Sequence, residues 1–333
     1  MPNRNKVTLL LAGGQVVHRK SATPTEPTEN IPLTREEVEA ALGDVAQEVE
    51  IMEWSFQPIS HYSLRMCSDL VQLAASQVKE GAQGVVITFD TQALTEFAYF
   101  ADQVWSFPQP LIFTGSLLYS GLPGSETALN LTQSVQAALS ESCWGQGVIV
   151  CIQDRGYAAS EIHQLSNDNR SGLLLSPCGP LFEFSMPLGE LRCLRKNNRN
   201  VLWNTDTVPA RSIEIVEAFI GGGDLLLNAL LEKHINELDG LVVGGFGNGD
   251  VPPSWVPLLR NFLRADVPVV LASRCLTGRV QRCADFEGSA TRLLEMGLIS
   301  AGSLSTRQAR IRLALGLGGG LEGSALKNYM KGE

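Results

Sequence analysis

Three short segments pair small residues, which free the backbone, with side chains able to act on a substrate: Ala12-Gly13-Gly14-Gln15, Ile87-Thr88-Phe89-Asp90-Thr91-Gln92 and Phe113-Thr114-Gly115-Ser116. Each follows or closes an apolar run, which places it at the carboxyl end of a strand, where open α/β sheets hold their ligands. Thr91 and Ser116 are the candidate nucleophiles, and Asp90 is a carboxylate next to the first. A hydroxyl attacks only when an adjacent base takes its proton. The motif places no base beside Ser116, so packing in a tight turn competes with catalysis as its role. Of the histidines His18, His61, His163 and His234, His61 lies two residues before Ser63 and His163 adjoins Gln164, which makes both candidate general bases. No Ser-His-Asp order, G-x-S-x-G elbow, P-loop or G-x-G-x-x-G fingerprint is present.

Composition removes several classes of function. The formal net charge is -9 with a pI near 5.1, and basic residues cluster only in short pieces such as Arg192–Arg199, which argues against nucleic acid as a partner. No apolar stretch approaches the roughly 20 residues of a membrane span. The polar start leads into an apolar run, Val7–Ala12, too short for a signal-peptide core, and a cytoplasmic protein is expected. The seven cysteines are odd in number, scattered and never C-x-x-C, a pattern of buried free thiols rather than disulfides or zinc ligands. No metal or cofactor is expected.

The elements that must position these residues alternate strand and helix. Strands are expected at Lys6–Leu11, Glu48–Trp54, Gly84–Thr88, Pro110–Thr114 and Gly147–Ile152, with helices from Arg35 and over Leu64–Glu80, Ala93–Val104 and Thr127–Leu139. Such spacing implies parallel pairing through right-handed crossovers. Thr34 with Glu37, and Ser305 with Gln308, read as capping boxes. Residues 16–32, with three prolines and no apolar period, read as a mobile loop leaving the first strand. Alternation stops after Gly179-Pro180-Leu181 and resumes near Ile213, with strands at Ile213–Phe219, Gly240–Val243 and Pro268–Ala272 and helices at Asp224–His234, Val256–Ala265 and Thr306–Leu315. The expected organisation is a larger N-terminal α/β domain with a mainly parallel sheet over 1–188, a polar linker over 189–211, and a smaller C-terminal α/β domain over 212–333.

The order and spacing of these segments resemble the bacterial L-asparaginase/glutaminase family along nearly the whole chain. The first segment resembles the family's T-G-G-T motif. The second resembles H-G-T-D-T, continuing into Glu96-Phe97-Ala98-Tyr99-Phe100, and the third resembles T-G-A, followed by Pro123-Gly124-Ser125-Glu126 and Asn130-Leu131 where the family has a D-x-x-x-x-N-L pattern. Asp154 to Gly179-Pro180-Leu181, Gly245–Asp250, Ser273-Arg274 and Gly297–Arg310 continue the match. The resemblance implies a dimer or tetramer whose site is completed by the neighbouring subunit, with Asn248 at that contact.

The departures fall on the chemistry. The family's nucleophile is the second Thr of T-G-G-T, helped by a Tyr in the following loop; here the position is Gln15, and 16–32 holds no Tyr. The family's second unit is Thr, Asp and Lys; Thr91 keeps the Thr, while the Asp and Lys positions are Gln92 and Gln164. A carboxamide is not a nucleophile at neutral pH. What the resemblance preserves is a binding set: Gly14, Ser63 at the family's substrate-carboxylate serine, and Thr91, joined by Gln15, Gln92 and Gln164 in one neutral cavity. Three readings stay open. The chain is a catalytically silent member binding a small amide- or carboxylate-bearing, amino-acid-like ligand or a partner protein. It is an enzyme with rebuilt hydrolase or acyl-transfer chemistry using Ser116 or Thr91. Or it is an ordinary asparaginase, for which Thr8 and Thr23 are badly placed.

Overall fold

The structure is a computed structural model that describes residues 6–20, 30–170, 173–185 and 189–331. The chain divides into two compact units, Met1–Asp206 and Thr207–Glu333.

In the first unit, β1 (Val7–Leu11), β4 (Val49–Glu53), β5 (Gly84–Thr88), β6 (Leu111–Thr114) and β7 (Val148–Ile152) pair in parallel in the order β7-β6-β5-β1-β4. Four of these runs, all but β4, are buried along their whole length because helices cover both faces, so they carry no alternating polar residues. One face is closed by α1 (Arg35–Leu42) and α4 (Thr127–Leu139), whose Val38, Leu42, Leu131 and Val135 pack on Val7, Leu9, Val86, Ile112 and Ile149. The other face holds α2 (Leu64–Lys79) and α3 (Leu94–Val104), with Phe97 of α3 edge-on to Phe113 at 4.9 Å. Both capping boxes form as expected, Thr34 with Glu37 ahead of α1 and Ser305 with Gln308 ahead of α8 (Thr306–Gly318).

The expectation of uniformly right-handed crossovers fails at one place. The connections β4–α2–β5, β5–α3–β6 and β6–α4–β7 all step the same way across the sheet, yet α4 shares the face of α1, whose β1–α1–β4 connection steps the opposite way. The β6–α4–β7 crossover therefore has the opposite hand to the other three, against a rule that holds in about 98% of cases. Its consequence is a loop, 115–126, that must pass over the carboxyl edge of the sheet to reach the α1 side. Strand order reverses between β1 and β5, and their carboxyl ends form the switch point where ligands collect.

Three antiparallel strands extend the sheet beyond β7: β8 (Arg155–Ala158), β11 (Phe182–Ser185) and β12 (Glu190–Cys193). The turn into β8 is Gln153-Asp154, both left-handed at φ 54° and 61°, a two-residue hairpin made without glycine. It is held from α4: Asn130 Oδ1 accepts from Gln153 N at 3.2 Å, and Gln133 donates to Asp154 at 2.7 Å. The expected linker, 189–211, thus begins as a sheet strand, and the residues after it remain docked. Arg195 pairs with Glu161, Asn197 Nδ2 donates to Gln146 O at 2.9 Å, and Arg199 lies 3.3 Å from buried Asp102. That stretch is polar because charges anchor it, not because it hangs free. Of the loop expected over 16–32, the arms β2 (His18–Lys20) and β3 (Asn30–Pro32) pair as a short hairpin, and 21–29 lie outside the described residues. A further small pair, β9 (His163–Gln164) with β10 (Leu174–Leu175), stands apart from the main sheet.

The second unit is a four-stranded parallel sheet in sequential order, β13 (Ile213–Glu217), β14 (Gly240–Gly245), β15 (Val269–Ser273) and β16 (Ile299–Ser305). α5 (Asp224–Lys233) and α6 (Trp255–Arg264) pack together, with Leu227, Trp255, Leu259 and Phe262 in a core against Leu241, Val243 and Leu271. α7 (Ala290–Met296), α8 and α9 (Gly323–Lys331) complete it. All seven cysteines are free thiols, but only Cys67, Cys143 and Cys151 are buried; Cys178, Cys193, Cys275 and Cys283 are exposed, against the expectation of burial. Among the described residues no helix is long and apolar enough to cross a membrane, and no His/Cys/Asp/Glu group could hold a metal ion.

Candidate active-site pocket

The ends of β1, β5 and β6 are locked together around one carbonyl. A Cβ on Gly14, at φ 86°, would fall 2.6 Å from the Phe89 carbonyl carbon and 2.9 Å from Asp90 N, and one on Gly115 would fall 2.7 Å from Phe89 O. Only glycine permits that approach from both sides. Buried cross-links hold the register: Ala12 N donates to Thr88 Oγ1 at 3.1 Å, Phe89 N to Thr114 O at 2.8 Å, and Asn130 Nδ2 to Gly115 O at 2.8 Å. Tyr62 OH donates to Ala12 O at 2.8 Å, and burial pushes its hydroxyl up to about 12, so it stays a fixed donor rather than an acid.

Above this frame lies a cavity of about 530 Å³. The β1 end supplies Gly14, Gln15 and His18, the β5 end Asp90 and Gln92, the segment 56–60 and Pro32 an outer wall, and the loop 115–126 Tyr119. Gln15 opens a single 3₁₀ turn, Gln15–Val17, and among the described residues its buried Oε1 has no hydrogen-bond partner. His18 Nδ1 is 2.7 Å from Gly14 O, and a carbonyl only accepts, so this nitrogen carries the proton. Asp90 Oδ1 accepts from Gln92 N at 2.9 Å. The loop with Tyr119 is tied down by Ser120 N donating to His18 O at 2.9 Å.

Of the sequence-derived site residues, Gly14, Gln15 and Gln92 line this cavity, and Ser63, Thr91 and Gln164 do not. Ser63 is the N-cap of α2, its Oγ accepting from Met66 N at 3.3 Å. Thr91 is buried with its methyl towards Gly115. Gln164 sits in the small β9–β10 pair, where its own chain satisfies it: Nε2 donates to Ser166 O at 3.3 Å. The expected convergence of three glutamines is therefore a pair. Ser116 is buried and also outside the lining; its hydroxyl lies 2.7 Å from Leu118 O and 3.0 Å from Glu126 Oε2. Glu126, a carboxylate the motif reading did not place there, is itself 3.5 Å from Arg170. Asn248 stands exposed in the turn between Phe246 and Asp250 of the second unit.

His61 and His163, the expected candidate bases, are not among the lining residues; His18 is. His18 lies three residues after Gln15, a signal present in the sequence. Tyr119 arrives only through the unusual crossover, which no residue pattern announces.

A family model described as asparaginase, N-terminal, matches residues 6–195, and one described as glutaminase/asparaginase C-terminal domain matches 212–330. The chain belongs to the asparaginase family. Within that family it is 25% identical over 326 residues to an L-asparaginase of Bacillus licheniformis, covering 96% of this chain and 97% of the relative. It is 24% identical to a glutamyl-tRNA(Gln) amidotransferase component of Methanobrevibacter smithii, over 95% of this chain and 73% of that one. A crystal structure titled probable cytoplasmic L-asparaginase, from Campylobacter jejuni, superposes with a TM-score of 0.85 at 21% identity, over 99% of this chain and 100% of the other, and shows that this member keeps the asparaginase fold.

Proposed function

We propose that this family member binds a small amide-bearing ligand in the cavity at the β1 and β5 ends and does not hydrolyse it. The observation that carries the reading is Gln15: it stands where the family motif holds its nucleophile, it lines the cavity, and its buried Oε1 has no partner among the described residues. An unpaired buried acceptor costs about 1–3 kcal/mol, which a ligand N–H would recover. Gln92 offers a second carboxamide on the same cavity. Among the described residues the lining holds no Lys or Arg, which favours an amide over a carboxylate as the recognised group. The relatives named L-asparaginase and amidotransferase point to the same ligand class. The rest of the reading is a cytoplasmic protein with free thiols, working as a homodimer or homotetramer.

Ser116 favours a second reading, rebuilt acyl-transfer chemistry, because a carboxylate lies 3.0 Å from its hydroxyl. Its single proton is shared between Leu118 O and Glu126, and its place outside the lining sets this reading below the first. Thermal shift tests the binding. L-Asparagine, L-glutamine and propanamide are expected to raise the melting temperature of the wild type, as any ligand of the native state does. Gln15→Leu is expected to lose that shift while gaining about 1 kcal/mol of intrinsic stability from removal of the orphaned acceptor. An undiminished shift in Gln15→Leu would place the ligand elsewhere.

A further inference from the structure

We infer that His18 sets which ligands the cavity accepts, its Nε2 and Gln15 Oε1 each taking one N–H of a primary carboxamide; this rests on the reading of the cavity as an amide site. The two residues come from one turn. Gln15 opens the 3₁₀ turn Gln15–Val17 and His18 caps it. Side chains three apart in such a turn fall on one face. The intervening Val16 and Val17 are wholly buried, while Gln15 and His18 both line the cavity.

The backbone of that turn fixes what the ring offers. Gly14 O accepts from Val17 N at 3.3 Å and from His18 Nδ1 at 2.7 Å, which occupies both of its lone pairs. With the proton held on Nδ1, a neutral imidazole presents Nε2 as a bare acceptor on the other edge of the ring. Phe56 stands edge-on to the ring at 5.6 Å and 85°, which fixes the plane as well. His18 is 5% exposed, and among the described residues Nε2 has no hydrogen-bond partner. Gln15 Oε1 is likewise buried and unpartnered there. Two acceptors on one turn thus call for two donors. A primary carboxamide carries two hydrogens on one planar nitrogen, whereas a carboxylate, an ester or a ketone carries none. A site whose buried polar groups an analogue leaves unpaired rejects that analogue. Asp90, another acceptor in the lining, comes from the β5 end and has Oδ1 taken by Gln92 N.

Three probes of nearly equal shape test this: 3-phenylpropanamide, its methyl ketone counterpart 4-phenylbutan-2-one, and 3-phenylpropanoate, titrated calorimetrically into the full chain at pH 8. Their phenyl body suits the apolar wall of Pro32, Phe56, Pro58 and Ile59. The amide is expected to bind at least about tenfold more tightly than the ketone or the carboxylate. His18→Phe keeps a flat ring against Phe56 but removes the acceptor, and is expected to bring amide and ketone within about threefold of each other, with the melting temperature confirming the fold. Nitrogen NMR on the wild type needs no variant: His18 Nε2 is expected to be unprotonated, and to shift with the amide but not with the ketone. A proton on Nε2 in the free protein overturns the inference, as does a ketone that binds as tightly as the amide. If the amide preference survives in His18→Phe while Gln15→Leu abolishes amide binding, the inference falls and the amide-binding reading stands. Loss of the preference in Asp90→Asn alone moves the second N–H to Asp90 and likewise overturns it. Failure of all three probes to bind overturns both.

Discussion

Two layers at the β1 and β5 ends have been treated differently by this sequence. The lower layer is backbone and buried polar groups: Gly14 and Gly115 closing on Phe89, Thr88 holding Ala12, Asn130 holding Gly115. The upper layer is the side chains facing the cavity: Gln15, Asp90, Gln92, Tyr119. The lower layer allows almost no variation, because a methyl group or an unpaired amide there meets fixed backbone. The upper layer borders open space, and its residues can change without unfolding the domain. A reaction centre can thus be replaced while the geometry that once aimed it persists, and fold alone says little about chemistry.

The largest expected effect breaks the lower layer. Gly14→Ala puts a methyl against the Phe89–Asp90 peptide at positive φ, and strain plus overpacking should remove at least about 3 kcal/mol of stability in a urea titration. An unchanged midpoint would show that the frame is not rigid and dissolve the contrast. Asn130→Ala should cost about 2 kcal/mol, because it leaves the Gly115 carbonyl and the strained Gln153 amide without their buried partner. The smallest effect comes from outside both layers. Burial holds the half-buried His163 ring below its ordinary value of 6.5. The unfolded chain then takes up a proton near pH 6.5 and the folded chain only at lower pH, so stability present above pH 6.5 is lost progressively as pH falls from there through the lower folded-state value. His163→Gln should flatten this part of the stability–pH curve and leave ligand binding unchanged; altered binding would draw His163 into the site.

Much of the frame was legible because its signals are local. The capping boxes at Thr34 and Ser305 and the apolar runs of β1, β5, β6 and β7 each specify their element within a few residues. What escaped is what tertiary contacts decide. The turn at Gln153-Asp154 lacks the glycine that marks such hairpins, and Asn130 and Gln133 on α4 stabilise it instead. The strand Glu190–Cys193 and the docked arginines behind it read as a linker because their partners, Glu161 and Asp102, are distant in sequence. In the pocket, Gln15 and Gln92 could be placed from motif spacing. Gln164 could not, since pairing with Leu174 carries it into a separate small sheet, and Tyr119 depends on the hand of a crossover.

The upper layer is expected to bind without hydrolysing, and ammonia release separates the two. Loss of the nucleophile from a cooperating set removes rate on the order of 10⁶-fold in well-studied hydrolases, and in the proposed reading Gln15, Gln92 and Gln164 stand at the positions of the family's nucleophile, Asp and Lys. Purified protein incubated with L-asparagine or L-glutamine is expected to release no ammonia above a heat-inactivated control, and Gln15→Thr is expected to recover little. Turnover on the order of 1 per second or faster would contradict the account. If Ser116→Ala then abolished that turnover, the rebuilt enzyme would take its place.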